Sequence, residues 1–300
     1  MKYPTVIVLI LTQTVAFSQK SDCLLSKVQV VKSGVLTYEQ INSYDVKKQL
    51  INKEERFLDE SLIKYTKTNR FVYDKNGNIT ENALLLNDAA EKTIFRKFSS
   101  ENQLLEEAIL LKDGSKTNLA KTVTGNNTKN FNPDGTFTNT VSVKDVLGRT
   151  TKETVFDVKG NASSVTEFLY DSKGELLKKI FVETPRKRTT ETAFERNDKG
   201  EVVAEAVKIN AEPFSRKIYE LNDIGKVTKI AAFNRYNTLD YELIYTFNES
   251  GNVTSESYFY NKELITKKEN SYDKNGNLVR VNNFERGKLI SSEISEYRCP

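Results

Sequence analysis

The heptapeptide Tyr73-Asp74-Lys75-Asn76-Gly77-Asn78-Ile79 recurs at 272–278 with a single change, Leu for the final Ile. An Asp or Asn that opens a tight turn accepts hydrogen bonds from backbone N–H groups two residues on. A glycine later in the turn takes the left-handed conformation that a side chain disfavours. The aromatic and aliphatic residues on either side then face each other across a hairpin mouth. The heptapeptide therefore predicts a β-hairpin closed by a type I turn with a G1 bulge.

Further copies of this pattern run along the chain and align on one glycine position, which holds nine of the 13 glycines. The predicted turn residues are Asp74, Gly77, Gly135, Gly148, Asp157, Gly160, Asp171, Gly174, Gly200, Gly225, Gly251, Asp273 and Gly276. Two degenerate copies, 44–50 and 98–104, lack the glycine. From Gly174 onward the glycines are 25 or 26 residues apart, but between Gly135 and Gly174 the spacing is only 12 to 14. The period is therefore a pair of strands, with a second turn halfway.

The second kind of turn is visible in 57–63, 259–265 and 284–290, each with an aromatic, a polar tip and a Leu-Ile restart. Internal repeats of this length predict stacked supersecondary units. We therefore expect an all-β fold, an antiparallel meander of repeated β-hairpins in an open, twisted or spiralling sheet. The segment 40–64, rich in Lys, Glu and Leu, also admits a helix, although the repeat frame favours strands there.

The pattern aromatic-Asp-x-x-Gly-Asn/Arg-Leu/Val resembles the YD repeats of the RHS and teneurin families over about Tyr44 to Tyr297. The turn near Gly287 resembles MORN-type repeats of secreted bacterial proteins. The resemblance implies hairpins that spiral into a shell around a toxic domain, and in some members binding to carbohydrate or cell surfaces. This chain has too few copies for a large shell and no toxin cassette or self-cleavage segment, so we do not expect encapsulation.

Residues 1–18 have the pattern of a signal peptide: Lys2, the apolar run 6–11 and the small-residue site Ala16-Phe17-Ser18. Its ending resembles signal peptides of Bacteroidetes-type bacteria. We expect cleavage before Gln19 and a secreted, periplasmic or cell-surface location. The predicted organisation is a signal peptide (1–18), an N-terminal segment (19–39) and a repeat domain (40–298).

The two cysteines, Cys23 and Cys299, lie near opposite ends of the sequence. Exported proteins occupy oxidising compartments in which disulfides persist. We predict an intramolecular Cys23–Cys299 disulfide, with free thiols or an intermolecular bridge as the alternatives.

Composition argues against several function classes. The chain has no His and only two Cys, which removes imidazole catalysis and the usual ligands of a structural zinc site. The net charge of +4 comes from positive and negative residues that are interleaved along the chain, so we expect no nucleic-acid partner. We also expect no cofactor. Segment 264–272 carries charge on both faces, so we expect a protein that does not span a membrane.

Three groups of residues remain as candidate sites. The first group is the Asp residues of the turns. Asn replaces Asp freely at this position, which fits a hydrogen-bond acceptor and not a catalytic acid or base. The basic run Arg186, Lys187 and Arg188 could bind acidic glycans, lipopolysaccharide or nucleic acid, or be a solvated hairpin tip. Tyr258, Phe259 and Tyr260 form an aromatic patch with Tyr241, Tyr245 and Phe247 of a neighbouring strand. This patch could stack on sugar rings or dock a protein partner, or its residues could pack across strands.

The sequence therefore predicts an exported, non-catalytic repeat protein, a binding or structural module at the cell surface or in the periplasm. Its expected partner is a protein or glycan of the cell envelope. The alternatives are a carboxylate-based glycan-active enzyme, or a secretion-linked adaptor or immunity protein.

Overall fold

The computed structural model describes residues 23–59, 62–119, 121–124, 127–131 and 136–299. The predicted signal peptide and Gly135 lie outside the described residues. The strands are β1 (Leu24–Lys32), β2 (Val35–Tyr44), β3 (Leu50–Asp59), β4 (Leu62–Tyr73), β5 (Ile79–Leu86), β6 (Ala89–Phe98), β7 (Leu104–Leu111), β8 (Lys116–Leu119), β9 (Lys121–Thr124), β10 (Asn127–Phe131), β11 (Phe137–Lys144), β12 (Thr150–Phe156), β13 (Ala162–Tyr170), β14 (Leu176–Glu183), β15 (Arg188–Arg196), β16 (Val202–Ile209), β17 (Glu212–Leu221), β18 (Val227–Asn234), β19 (Leu239–Phe247), β20 (Val253–Tyr260), β21 (Glu263–Tyr272), β22 (Leu278–Glu285) and β23 (Lys288–Arg298).

All of these strands belong to one antiparallel sheet in which, apart from β8 and β9, strands that follow each other in the chain pair with each other. The predicted all-β meander of hairpins is confirmed. Segment 40–64 forms the end of β2, β3 and the start of β4, so strands and not a helix occupy its described residues. The predicted N-terminal segment contributes β1 and half of β2 to the same sheet.

One edge of the sheet carries the turns of the heptapeptide type, and we call it the Asx rim. In each turn the N–H of the first residue donates to the carbonyl of the fifth, and the N–H of the fourth donates to the carbonyl of the first. Lys48 and Asn102 occupy the glycine position of the two degenerate copies, with φ of 64° and 61°. The Asx rim consists of turns 45–49, 74–78, 99–103, 145–149, 171–175, 197–201, 222–226, 248–252 and 273–277.

The opposite edge, the variable rim, carries turns of several kinds. Five are two-residue turns in which both residues have positive φ, as in type I′ hairpins. Turn 157–161 is of the Asx type but lies on this rim, and this explains why the glycine spacing halves before Gly174. The variable rim includes turns 33–34, 87–88, 157–161, 184–187, 210–211, 234–238, 261–262 and 286–287.

The sheet curls until its first and last strands meet. β1 pairs with β2 on one side and with β23 on the other, from Leu24 opposite Arg298 to Lys32 opposite Ser291. β8 pairs with β7 and β9 with β10, so the described ladders form one ribbon from β9 through β23 and β1 to β8. A meander of this length brings distant ends together only by curling, and the β1–β23 pair, called the seam below, fixes that curl.

The predicted disulfide closes the seam. Cys23 and Cys299 are bonded, with Cα atoms 4.1 Å apart. They stand on the Asx rim, where Asn275 of turn 273–277 brings its side-chain nitrogen to 3.9 Å from the Cys299 sulfur. Because no turn connects β23 to β1, the disulfide occupies the place that a turn has between other strand pairs.

Tyrosines that precede several of the Asx turns tie one hairpin to the previous one. The hydroxyls of Tyr44, Tyr73 and Tyr272 donate to the carbonyls of Leu25, Leu50 and Val253, each at 2.8 Å. In each pair the accepting carbonyl belongs to the second residue of β1 or to the first residue after the preceding turn. Arg196 takes the tyrosine position in its repeat and donates to the Leu176 carbonyl at 3.3 Å. The Tyr44 bond reaches β1, so this linkage continues to the seam.

The sheet is a single layer with little dry interior. Strands contact their sheet neighbours, and no second layer covers either face of the described strands. Most side chains are half-buried; the buried ones are Cys23, Val28, Leu85, Ala204, Ala232, Glu55, Thr68 and Asn277. The low apolar content of the sequence, 38%, matches a sheet held mainly by its hydrogen-bond ladder and hairpin contacts.

Candidate binding surface

The carboxylates of the Asx rim act as hydrogen-bond acceptors within their own turns. Asp74 Oδ1 accepts the N–H groups of Asn76 and Asn78, at 2.8 and 2.9 Å. Asp273 does the same with Asn275 and Asn277. The hydrogen bond from the Asn78 side chain, followed by those from backbone N–H groups, lowers the pKa of Asp74, because these bonds favour the charged carboxylate. The Asn277 side chain lowers the pKa of Asp273 in the same way.

The other predicted turn residues lie in the same arrangement. Asp157 and Asp171 accept two backbone N–H groups each. Positive φ occurs at Gly77, Gly148, Gly160, Gly174, Gly200, Gly225, Gly251 and Gly276. Lys226 of the preceding turn donates its Nζ to the Gly251 carbonyl and so links two neighbouring turns of the Asx rim.

The sequence pattern does not reveal two turns of this type. In turn 234–238 the Asn234 side chain accepts the N–H groups of Tyr236 and Thr238, and Asn237 has a φ of 57°. In turn 111–115 Gly114 has positive φ, but Leu111 holds the position of the Asp. The signal that could have revealed the first is Asn-x-x-Asn, since Asn serves both as acceptor and as left-handed residue.

The structure divides the predicted aromatic group. Tyr258 and Tyr260 project from the same face of β20 as each other, and Phe259 projects from the opposite face. On the tyrosine face Tyr241 lies opposite Tyr260 in the ladder, and its ring centre is 5.7 Å from that of Tyr258. The predicted grouping of Tyr258 and Tyr260 with Tyr241 is confirmed, whereas Phe259 projects from the opposite face and lies outside the cluster.

Carboxylates accompany this tyrosine cluster. Tyr219 donates its hydroxyl to Glu205 at 3.1 Å, and burial together with this carboxylate raises the Tyr219 pKa. Burial, with a smaller contribution from Glu256, raises the pKa of Tyr245 to about 12. These tyrosines are therefore neutral donors at physiological pH and not bases.

Next to this cluster, the ends of β17, β18 and β19 form an open groove of about 350 Å³ at the variable rim. Its floor includes Ala232, which is 5% exposed, in a cross-strand row between Lys217 and Tyr241. Two aromatics stand out into solvent, Phe214 at 52% and Tyr236 at 73% exposure. Charged groups complete the lining, which comprises Phe214, Ser215, Arg216, Lys217, Ala232, Phe233, Asn234, Arg235, Tyr236, Asp240 and Tyr241.

Arg235 is held against the aromatic side of the groove. Its guanidinium lies 4.8 Å from the centre of the Tyr236 ring, a cation–π contact. On the neighbouring strand Arg216 pairs with Glu195 at 3.5 Å. The groove thus presents exposed rings beside guanidinium groups, which suits apolar and anionic chemistry together.

The predicted basic run forms the turn 184–187 and the start of β15, also on the variable rim. Arg186, Lys187 and Arg188 are all exposed. Arg186 pairs with Glu183 at 3.4 Å, and Arg188 lies opposite Glu183 in the ladder. The basic run and the groove are therefore on the same edge, with turn 210–211 between them.

The described part of the chain contains no group of three or more His, Cys, Asp or Glu that could hold a metal ion. It also contains no helix long and apolar enough to cross a membrane.

No family model and no curated protein matches this chain. Among solved structures, it resembles a chain of TcdB2–TccC3–Cdc42, with 11% identity and a TM-score of 0.34 over 84% of this chain and 19% of that one. A chain of TcdB2–TccC3–TEV gives 12% identity and 0.33, over 89% and 16%. A porin-like protein from Bacteroides uniformis gives 11% and 0.31, over 91% and 98%. The chain spans about a fifth of the first chain's length. It is a repeat-type β protein.

Proposed function

We propose that this chain is an exported, non-catalytic repeat protein of the YD type that binds a component of the cell envelope. The observation that carries the proposal is the long single-layer sheet, both of whose faces and both of whose rims reach solvent. Repeat proteins use such extended surfaces for binding. In a single solvated sheet most residues lie at the surface, and there is no thick core that could enclose a cleft.

Export is supported by the disulfide at the seam. Disulfides persist in secreted and periplasmic proteins and are rare in reducing compartments. Cys23 and Cys299 join the first and last strands, so an oxidising environment would hold the curled sheet together. The signal-peptide pattern in residues 1–18 points to the same location.

A non-catalytic role is supported by the use of the carboxylates. Asn197 and Asn222 accept the same backbone hydrogen bonds in their turns as Asp74 does in its own. An amide can replace a carboxylate as an acceptor, but it cannot act as an acid or base. The repeated Asp position therefore fits turn formation better than glycan hydrolysis.

The experiment that tests the proposal combines binding and turnover. The mature, oxidised protein is immobilised and exposed to solubilised envelope fractions and to a panel of envelope glycans. We expect saturable retention of a defined component, lost when the protein is reduced and unfolded, and no change in glycan mass. Hydrolysis of any glycan would establish the enzyme alternative instead, and absence of saturable retention would refute the binding role.

A further inference from the structure

We infer that the variable rim between β14 and β19 is a docking surface for an acidic protein segment that carries an apolar anchor residue. We call this surface the basic-aromatic rim; it comprises turns 184–187, 210–211 and 234–238 and the groove at β17–β19. The inference rests on the proposed binding function and deepens it by naming the class of partner and the place where it binds.

Cations outnumber acids along this stretch, even though the two signs nearly balance over the whole chain. The stretch carries the cations Arg186, Lys187, Arg188, Arg216, Lys217 and Arg235 and the acids Glu183, Glu195, Glu212 and Asp240. Glu183 pairs with Arg186, and Glu195 pairs with Arg216. Guanidinium groups bind carboxylates through paired hydrogen bonds, so an acidic partner matches this surface.

Two aromatic side chains of this surface project into solvent. Phe214 and Tyr236 are more than half exposed, and they stand beside a groove whose floor is the small side chain of Ala232. Tyrosine and arginine dominate the energetic centres of protein interfaces, where an anchor side chain fills a pocket. A groove of about 350 Å³ accommodates one such anchor and not a folded domain.

The distance between the basic turn and the groove suits a short extended segment. β15 and β18 are three strand positions apart, which corresponds to roughly 15 Å across the sheet. An extended peptide covers about 3.3 Å per residue, so about five residues bridge the basic turn and the groove. A single segment can therefore place its anchor at Ala232 and carboxylates at both Arg235 and Arg188.

The test uses a fluorescein-labelled peptide in which four glutamates flank a central phenylalanine on each side. Anisotropy with the full oxidised protein at low salt should give saturable binding that weakens as salt rises. Replacing the phenylalanine by glycine should weaken binding severalfold, and a lysine version should not bind. No binding of the glutamate–phenylalanine peptide, or equal binding of the lysine version, would overturn the inference.

Variants locate the surface. Arg235→Glu should weaken binding more than about tenfold, and Tyr236→Ala by about fivefold or more. Matched controls occupy the same turn positions on the Asx rim: Lys274→Glu makes the same charge change, and Ile224→Ala removes an exposed side chain. The controls should bind within about twofold of the unmodified protein. Equal losses in the controls would reject this location.

All four variants change residues at turn tips, so melting temperatures close to that of the unmodified protein are expected and confirm that binding is compared between folded proteins. Tetragalacturonate serves as the acidic sugar probe. If it binds more tightly than the peptide and is sensitive to Arg235→Glu, the surface is a saccharide site and the inference is wrong while the proposed binding function stands. If the envelope experiment fails but the peptide binds as described, only the proposed cellular role fails.

Discussion

The two rims of the sheet are built from the same chain but by different rules. The Asx rim repeats one turn nine times among the described residues, and the first side chain of each turn accepts a backbone hydrogen bond within that turn. The variable rim mixes two-residue turns, a four-residue turn and Asx turns. The most exposed side chains of the variable rim include the aromatics Phe214 and Tyr236, whereas exposed apolar tips of the Asx rim, such as Leu147 and Ile224, are aliphatic. Uniform turns fix strand register, and turns of varied length change which side chains stand at the edge.

The largest expected effect concerns the one place on the Asx rim that has no turn. Replacing both Cys23 and Cys299 by Ser should lower the free energy of unfolding by up to about 5 kcal/mol, because the bridge closes a very long loop. Denaturant titration of the oxidised protein and the variant measures the difference. Reductant should lower the denaturation midpoint of the unmodified protein and leave the midpoint of the variant unchanged. If the midpoint of the unmodified protein is the same with and without reductant, the seam is stable without the disulfide.

The next effect tests the backbone requirement of the Asx rim. Gly276→Ala should lower the free energy of unfolding by about 1–2 kcal/mol, because a Cβ disfavours the left-handed conformation. The reverse change, Lys48→Gly, should stabilise by up to about 1 kcal/mol, since Lys48 already has a φ of 64°. Thermal melts of both variants check the pair, and an unchanged melting temperature for Gly276→Ala would contradict the assigned turn.

A smaller effect separates the tyrosines of the two rims. Tyr73→Phe removes the hydroxyl that donates to the Leu50 carbonyl and should cost about 1 kcal/mol. Tyr260, near the variable rim and 45% exposed, provides the matched change, and Tyr260→Phe should alter stability by less than about 0.5 kcal/mol. Chemical denaturation of both variants is the measurement. Equal costs would mean that the hydroxyl bonds between hairpins do not distinguish the rims.

The smallest effect concerns acid. The folded state lowers the pKa of Asp273, so its stabilising contribution is present above the ordinary Asp pKa and is lost as pH falls through the folded value. Asp273→Asn should fold with nearly unchanged stability at pH 7, because Asn fills this position in other turns. The variant should also lose less stability than the unmodified protein between neutral and strongly acidic pH. Identical acid titrations of the two proteins would rule out a contribution from this carboxylate.

Much of the Asx rim was readable in the sequence, because each turn needs particular residue types within five positions. Asp, Asn or Ser accepts backbone hydrogen bonds, and glycine takes positive φ, so local chemistry alone specified the hairpin period and the all-β class. Where another residue fills the glycine position, as Lys48 does, the flanking aromatic and aliphatic residues still marked the repeat. Turn 234–238 is not marked by a glycine, because Asn237 takes the left-handed position.

The candidate surface was only partly readable. The sequence identified Arg186–Arg188 and Tyr258–Tyr260 separately, but the groove combines Phe214 of β17, Ala232 of β18 and Tyr236 of the turn 234–238. Strand alternation also sends Phe259 to the face opposite Tyr258, which adjacency in sequence does not reveal.

Short-range turn chemistry predicts the hairpin and its period from the sequence alone, and the presence of just two cysteines favours their pairing. The tertiary structure adds that the sheet curls until β1 pairs with β23, and that most turns of the heptapeptide type lie on one rim while the most exposed aromatic side chains lie at the other. Curl is the sum of small twists over many strands, and no single turn encodes that sum.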